Sequence, residues 1–225
     1  MTTILSQSIE DYLKAIYEIA GEDRRASTTE LAEYLNVAPA SVTGMIKKLS
    51  ETTPPLVNYV KHQGVTLTPE GNNVALETLR HHRLLELFLH QILDYPWDEV
   101  HEEADRLEHV ISEKFEERIA VALGNPKHDP HGDPIPRRDL SLPFAAATSL
   151  SELRPGQIAV VKRVRDTDPK LLRYLSENGV IPGAEIEVIH YSEFDGNLQL
   201  RVQDLEGSPV LGPLITEQIY VEVLN

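Results

Sequence analysis

His101, Asp105, Glu108 and His109 recur at i, i+4, i+7 and i+8. At about 100° per residue, that spacing gathers imidazole and carboxylate donors within an arc of roughly 100° on one helix face. Val100, Ala104, Leu107 and Ile111 form an apolar stripe beside them, so the donors stand at the border of a core, where water is scarce and rotamers can be fixed. Upstream, His82 and Glu86 make a second i, i+4 pair, and two antiparallel helices could present both sets to one seam. Converging nitrogen and oxygen donors are the chemistry of a divalent-cation site. The chain has no cysteine, which excludes disulfides, thiolate nucleophiles and sulfur-based zinc sites and favours harder ions. Each residue taken singly also has a plain structural role. His82 can be a core histidine satisfied by Glu86, Glu108 and His109 can belong to a surface charge run, and Asp11 can be the far end of a capping box begun by Ser8. Taken together they favour a metal, because acids beside a core cost stability unless a cation neutralises them.

The elements that must position these groups fall into three compositional zones, divided by proline-rich stretches. In the first, Leu13, Ile16, Tyr17 and Ala20 predict a helix from about Ser8 to a stop at Gly21. Ser27-Thr28-Thr29-Glu30 is a capping-box pattern opening a short second helix, and Pro39 stands where a third should begin, with Val42, Met45, Ile46 and Leu49 as its stripe. Two strands around Gln63-Gly64 then predict a hairpin. This order is a winged helix-turn-helix. The second zone predicts one helix over about Pro69 to Leu93 and another from near Trp97 to about Leu123. In the third, period-two patterning at Ile158, Val160 and Val164, at Ile186 and Val188, at Leu198, Leu200 and Val202, and at Ile219, Val221 and Val223 predicts short strands with one helical insert over Lys170 to Asn178. The expected class is α+β and multidomain: a winged helix over 1–72, a helical metal-binding and dimerisation domain over 73–140, and a small SH3-like β-barrel over 141–225. The stretch from Gly124 to Pro136 reads as a proline-rich tether with a possible function of its own.

The chain has 225 residues, 41% hydrophobic and 25% charged, with 21 Lys and Arg against 36 Asp and Glu for a net charge of −15. This composition excludes disorder, collagen and coiled-coil fibre. No long uninterrupted apolar window occurs, and the first residues lack the basic start and apolar core of a signal peptide, so a cytoplasmic location is expected. Net acidity argues against nucleic acid except where one face escapes it. Ser41 to His62 is such a stretch, with Lys47, Lys48 and Lys61 against Glu51 alone. In a helix-turn-helix the leading residues of the second helix meet base edges and flanking hydroxyls and lysines hold phosphates. The candidates are Ser27, Thr28, Pro39, Ala40, Ser41, Thr43, Gly44, Lys47, Lys48 and Lys61. With few base-edge donors, recognition would lean on DNA shape and on thymine methyls against Ala40.

Three segments carry a family likeness: Ile9-Glu10-Asp11-Tyr12-Leu13, His82-Arg83-Leu84-Leu85-Glu86 and above all Val100 to His109. Through them the first 140 or so residues resemble the diphtheria toxin repressor (DtxR/MntR) family of metal-activated transcription regulators. The third zone, with Leu153-Arg154-Pro155-Gly156 and Gly179-Val180-Ile181-Pro182-Gly183, looks like the SH3-like, FeoA-like domain of its longer members. The resemblance implies a homodimer and two metal positions per subunit. One would use Asp11, Asp105, Glu108 and His109. The other would use His82, Glu86 and His101, completed by the tether through His131 and Asp129, the latter standing where some members have a cysteine, or by Asp168 of the C-terminal domain. Leu171 replaces a polar ligand of iron-type members, and Lys14 stands where some manganese-type members carry a second acid. Iron-type members place sulfur where this chain has Asp11 and Asp105, so oxygen there implies Mn²⁺, with Fe²⁺, Co²⁺ or Zn²⁺ able to bind in vitro.

The expected function is a metal-activated, manganese-dependent repressor of metal-homeostasis genes, binding a palindromic duplex operator. Without metal, Asp11, Asp105 and Glu108 would repel one another; with metal, the two reading helices of the dimer would be fixed one duplex turn apart. An iron-dependent regulator of the same family is the near alternative. A binuclear metallohydrolase is a second class, opposed by the lack of a general acid or oxyanion donor. A winged-helix sensor of a small organic ligand, with structural acids, is a third.

Overall fold

A computed structural model of the chain describes residues 6–20, 24–143, 145–165, 168–203 and 205–224. They divide into two compact units, one drawn from Met1–His81, Glu108–Ile111 and Arg138–Ser141, the other from His82–Leu107, Ser112–Arg137 and Leu142–Asn225.

The first unit contains α1 (Gln7–Ala20), α2 (Thr28–Tyr34), α3 (Pro39–Ser50), β1 (Val57–Val60), β2 (Gly64–Leu67) and the start of α4 (Pro69–Leu93). α1 buries Ile9, Leu13 and Ile16 against Leu31, Ile46 and Leu49 of the next two helices. Its first turn already includes Ser8, so Ser8 is inside the helix rather than its cap and the bland reading of Asp11 as a capping-box partner is corrected. Gly21, the expected stop, lies outside the described residues. The second helix opens as expected: Ser27 Oγ accepts from Glu30 N, and the Glu30 carboxylate accepts from Ser27 N. Pro39 is the first residue of α3 after Ala38, which caps with no side-chain bond. The hairpin pairs Val57 with Leu67 and Val60 with Gly64, and Ala26 bridges to Val65. Gly64 has φ of 98°, and a Cβ on it would meet Ala26 O at 2.5 Å, so only glycine lets the wing close on that segment.

The second unit holds the rest of α4, then α5 (Val100–Leu107), α6 (Glu113–Ala122) and the C-terminal domain. One long helix was expected over Trp97 to Leu123; α5 ends at Leu107, and Ser112 starts α6 as an N-cap whose Oγ accepts from Phe115 N. The cap competes with continued helix, and the motif from His101 to His109 is thereby divided between a helix and a turn.

The C-terminal domain comprises β3 (Thr148–Ser149), a 3₁₀ turn, β4 (Ile158–Val164), α7 (Pro169–Glu177), β5 (Glu185–Tyr191), β6 (Leu198–Val202), β7 (Val210–Leu211), α8 (Pro213–Thr216) and β8 (Ile219–Leu224). Its antiparallel order is β3-β8-β4-β5-β6-β7. Among the described residues the SH3-like sheet therefore has two edges, which corrects the expected barrel to an open sheet. Register shifts between Val161 and Arg163 and between Val188 and His190 add twist. The first shift also corrects the phase of β4: Ala159 and Val161 face the core with Val164, while Ile158 is 39% exposed. Trp97 joins this core, beside Leu172 and Leu200.

Candidate metal centre

Each unit gathers metal-type donors of its own. In the first unit Asp11 projects from α1, and Glu108 and His109 come from the turn after α5, with their donor atoms within 4.8 Å of one another. His109 Nε2 is 2.8 Å from Asp11 Oδ1 and 3.3 Å from Glu108 Oε1, and its Nδ1 is 2.6 Å from Glu10 Oε2. Burial alone lowers the His109 pKa, but the hydrogen bonds of Asp11 and Glu10 and the charge of Glu108 outweigh it and hold the value up to about 9. Lys14 Nζ donates to both oxygens of Glu108, at 2.8 and 2.9 Å. The turn itself is held by His81, whose Nδ1 lies 3.1 Å from the Glu108 carbonyl oxygen. Sequence reasoning passed over Glu10 and His81 and marked Lys14 only as a residue standing where some family members have an acid. Glu10 was legible as the neighbour of Asp11, whereas the roles of Lys14 and His81 required the turn to be seen.

In the second unit, Glu86 Oε1 is 2.9 Å from His82 Nε2 and 3.1 Å from His101 Nδ1, and those two nitrogens are 3.1 Å apart. Behind them Asp105 takes the opposite nitrogens, Oδ1 at 3.2 Å from His82 Nδ1 and Oδ2 at 3.6 Å from His101 Nε2. A carboxylate on the far nitrogen fixes ring orientation and makes the near nitrogen a better ligand. Asp105, expected as a ligand with Asp11, Glu108 and His109, lies one turn after His101 on α5, and within this unit its carboxylate meets both histidines.

The tether completes this second group. Asp129 Oδ1 accepts from His131 N and Asp133 N, each at 2.9 Å, and Arg83 donates to Pro134 O at 2.7 Å, fastening the loop to α4. Gly132 has φ of 90°, and a Cβ there would lie 1.9 Å from Lys162 O, so the glycine lets the tether press against β4. His131 Nε2 stands 2.9 Å from Trp97 O. A carbonyl only accepts, so that nitrogen carries the hydrogen, and Nδ1, 3.9 Å from Glu86 Oε2, is the nitrogen that faces the cluster. Glu86, Asp129 and His131 are all buried, with donor atoms within 4.8 Å. Burial by itself raises the Glu86 pKa, but the charge of His82 and the hydrogen bonds of His101 and His82 hold it well below the usual carboxylate range. Burial, then the charges of Glu86 and Asp133, push Asp129 well above the ordinary value, against the opposing pull of Arg83. Three imidazoles and two carboxylates, in two triplets that share Glu86, have the donor set and the excess of lone pairs that a divalent cation satisfies. Asp168 is not brought to it. That residue is exposed and caps α7, its Oδ1 accepting from Lys170 N.

On the winged unit, Pro39, Ala40, Ser41, Gly44, Lys47 and Lys48 of α3 are exposed, as is Lys61 at the hairpin turn. Thr43 Oγ1 donates to Pro39 O, and Ser27 Oγ is engaged in its cap; Thr28 is half-buried in the first turn of α2. No helix of the described residues is long and apolar enough to cross a membrane.

A winged helix-turn-helix in one chain with buried histidine and carboxylate clusters is the architecture of a metal-responsive DNA-binding regulator. Comparison with known proteins agrees. Residues 4–65 match the iron-dependent repressor N-terminal DNA-binding domain, residues 68–137 the iron-dependent repressor metal-binding and dimerisation domain, and residues 148–223 the FeoA domain. The iron-dependent repressor IdeR of Mycobacterium leprae (strain TN) is 34% identical over 197 residues, 82% of this chain and 84% of the relative. A solved manganese-dependent transcriptional repressor in complex with manganese superposes with TM-score 0.87 at 38% identity, covering 96% of this chain and all of that one. The repressor ScaR with bound Zn²⁺ gives TM-score 0.79 at 36% identity, over 95% of this chain and 98% of that one. The chain belongs to the iron-dependent repressor family, that of the diphtheria toxin repressor. It is a metal-dependent DNA-binding transcriptional repressor rather than an enzyme, it binds divalent metal, and its partners are DNA and a second copy of itself.

Proposed function

We propose that the protein is a manganese-activated repressor of metal-homeostasis genes, acting in the cytoplasm on palindromic operators. We assign two metal positions per subunit. Asp11, Glu108 and His109 would hold one ion, and His82, Glu86, His101, Asp129 and His131 the other, with Asp105 orienting the histidines. The observation that carries the reading is the absence of sulfur from both donor sets. Mn²⁺ stands low in the affinity order and is selected by oxygen-rich sites; the solved manganese-dependent repressor shares 38% of its sequence with this chain. An ion held there would supply the positive charge that favours the ionised carboxylate of Asp129 and a neutral imidazole at His109. The chain's own residues do the rest: α1, which carries Asp11, is tied to the turn at Glu108 and His109, and the tether is tied to α4 and β4. Fixing those segments orients α3, whose exposed leading face meets the major groove while Lys47, Lys48 and Lys61 hold phosphates. Two-fold symmetry of the dimer then requires two half-sites. Metal and operator must strengthen each other by the same factor.

The test is fluorescence anisotropy of chelator-treated protein on a random duplex pool, titrated with Mn²⁺ and, anaerobically, with Fe²⁺. The reading expects Mn²⁺ to select a palindrome and Asp11→Ala to abolish the metal response. Selection by Fe²⁺ alone at lower free metal would replace manganese with iron, and binding indifferent to metal would overturn the reading.

A further inference from the structure

Lys14 is turned into the Asp11, Glu108 and His109 cluster rather than out to solvent. Its Nζ is chelated by both carboxylate oxygens of Glu108, at 2.8 and 2.9 Å, and the two side chains are only 9% and 0% exposed. The same Oε1 that accepts from Lys14 is 3.3 Å from His109 Nε2. The carboxylate that a divalent ion would share with Asp11 and His109 is therefore already neutralised by a cation of the chain itself. A carboxylate has roughly four lone-pair sites, so geometry alone would admit a second cation. Charge does not: an ammonium and a divalent ion on one buried carboxylate repel each other through a few ångströms of protein.

We propose that Lys14 is an internal competitor for the metal. Glu108 holds the Lys14 ammonium in the metal-free protein and exchanges it for the ion, so Lys14 sets the free-metal concentration at which this position fills. The inference rests on the reading of Asp11, Glu108 and His109 as a metal position. It also explains why so many charges are tolerated in a buried place. Lys14 keeps Glu108 from standing there unpaired, the arrangement that strongly destabilises a fold, and it does so at the expense of metal affinity.

The experiment uses the full-length protein in a Glu86→Gln background, which weakens the other cluster, and follows free Mn²⁺ by its room-temperature electron paramagnetic resonance signal. Lys14→Met should lower the half-saturating Mn²⁺ concentration at least tenfold, and Lys14→Arg, which keeps the charge, should leave it within about threefold of the parent. Without metal Lys14→Met should melt below the parent, and saturating Mn²⁺ should raise its melting temperature by more than it raises the parent's, because the ion then supplies what Lys14 supplied. Should the methionine variant not fold, Lys14→Gln, which is neutral but still donates to Glu108, tests the same direction. Folded neutral variants that bind Mn²⁺ no better than the parent, or worse, overturn the inference while leaving the metal position intact. A parent protein that takes up no ion at this position overturns the position and the inference together.

Discussion

Gly44 lies in the interior of α3, on its exposed face, and a Cβ added there meets nothing within 4 Å. Its φ is not positive. Neither packing nor backbone conformation in the free protein explains a residue that costs a helix interior about 0.5–1 kcal/mol relative to alanine. Gly44→Ala should therefore stabilise the metal-free protein by that amount, a rise of about 1–4 °C in melting temperature for a chain of this size. If α3 enters the major groove with this face toward the bases, the added methyl has to be accommodated against DNA. Overpacking of a tight contact costs about 1–3 kcal/mol, so operator affinity at fixed salt and saturating Mn²⁺ should fall about 5- to 150-fold. Thermal denaturation followed by circular dichroism and anisotropy on the selected operator read the two effects separately. A destabilised variant would show that the fold needs the glycine. A stabilised variant with unchanged operator affinity would refute the placement of this face of α3 against DNA.

The clustered charges and the tether give three more expectations. His109, held up to about 9 from 6.5, contributes stability to the metal-free protein that is fully present below about pH 6.5 and is lost as pH rises through about 9; at most about 3 kcal/mol is at stake. The difference in melting temperature between wild type and His109→Gln should shrink over that window, and a constant difference would show that no proton is held there. Lys48→Ala should weaken binding evenly across operator variants and reduce the slope of log affinity against log salt by about 1; an unchanged slope would remove Lys48 from the phosphate contacts. Gly132→Ala meets Lys162 O at 1.9 Å with φ of 90°, so it should cost about 1–3 kcal/mol and weaken metal at the His131 cluster while sparing the Asp11 cluster, which chelator titration distinguishes.

The local elements of the winged unit were legible because their signals are covalently local. The Ser27 to Glu30 capping box, Pro39 at the first turn of α3 and the residues flanking Gln63-Gly64 each act within a few positions. What the sequence hid depends on events between elements. Helical periodicity runs unbroken from Val100 past His109, and only the competition from the Ser112 cap, visible as a serine three residues before Phe115, ends it. That break leaves His101 and Asp105 on α5 and places Glu108 and His109 in the turn that follows it. The phase of β4 was misread for a similar reason: a bulge after Val161 lets Ala159 and Val164 share a face although they stand an odd number of positions apart. The tether's role was half legible, since Asp129 and His131 could be picked out by type, but their burial depends on Arg83, Gly132 and the Trp97 carbonyl, none of which carries a ligand signal.

Repulsion among the acids was the expectation for the protein without metal, and the structure sets cationic partners beside them. In the Asp11 cluster, Lys14 occupies Glu108 and a protonated His109 bridges Glu10 and Asp11. In the Glu86 cluster, burial and the charges of Glu86 and Asp133 raise the Asp129 pKa, while the charge of His82 and the hydrogen bonds of His101 and His82 hold that of Glu86 down. In the Asp11 cluster, charge that a divalent ion would neutralise is thus already met by an ammonium and an imidazolium. The free energy available for reorganising the protein is then a difference between two compensated states rather than the relief of an uncompensated one. Such differences are small, and a ligand shifts an equilibrium only by its differential affinity for the two states. A sensor of this kind can be held in an ordered fold without metal and still respond over a narrow concentration range. Its set point then lies in the residues that stand in for the ion, Lys14 and His109, as much as in the ligands.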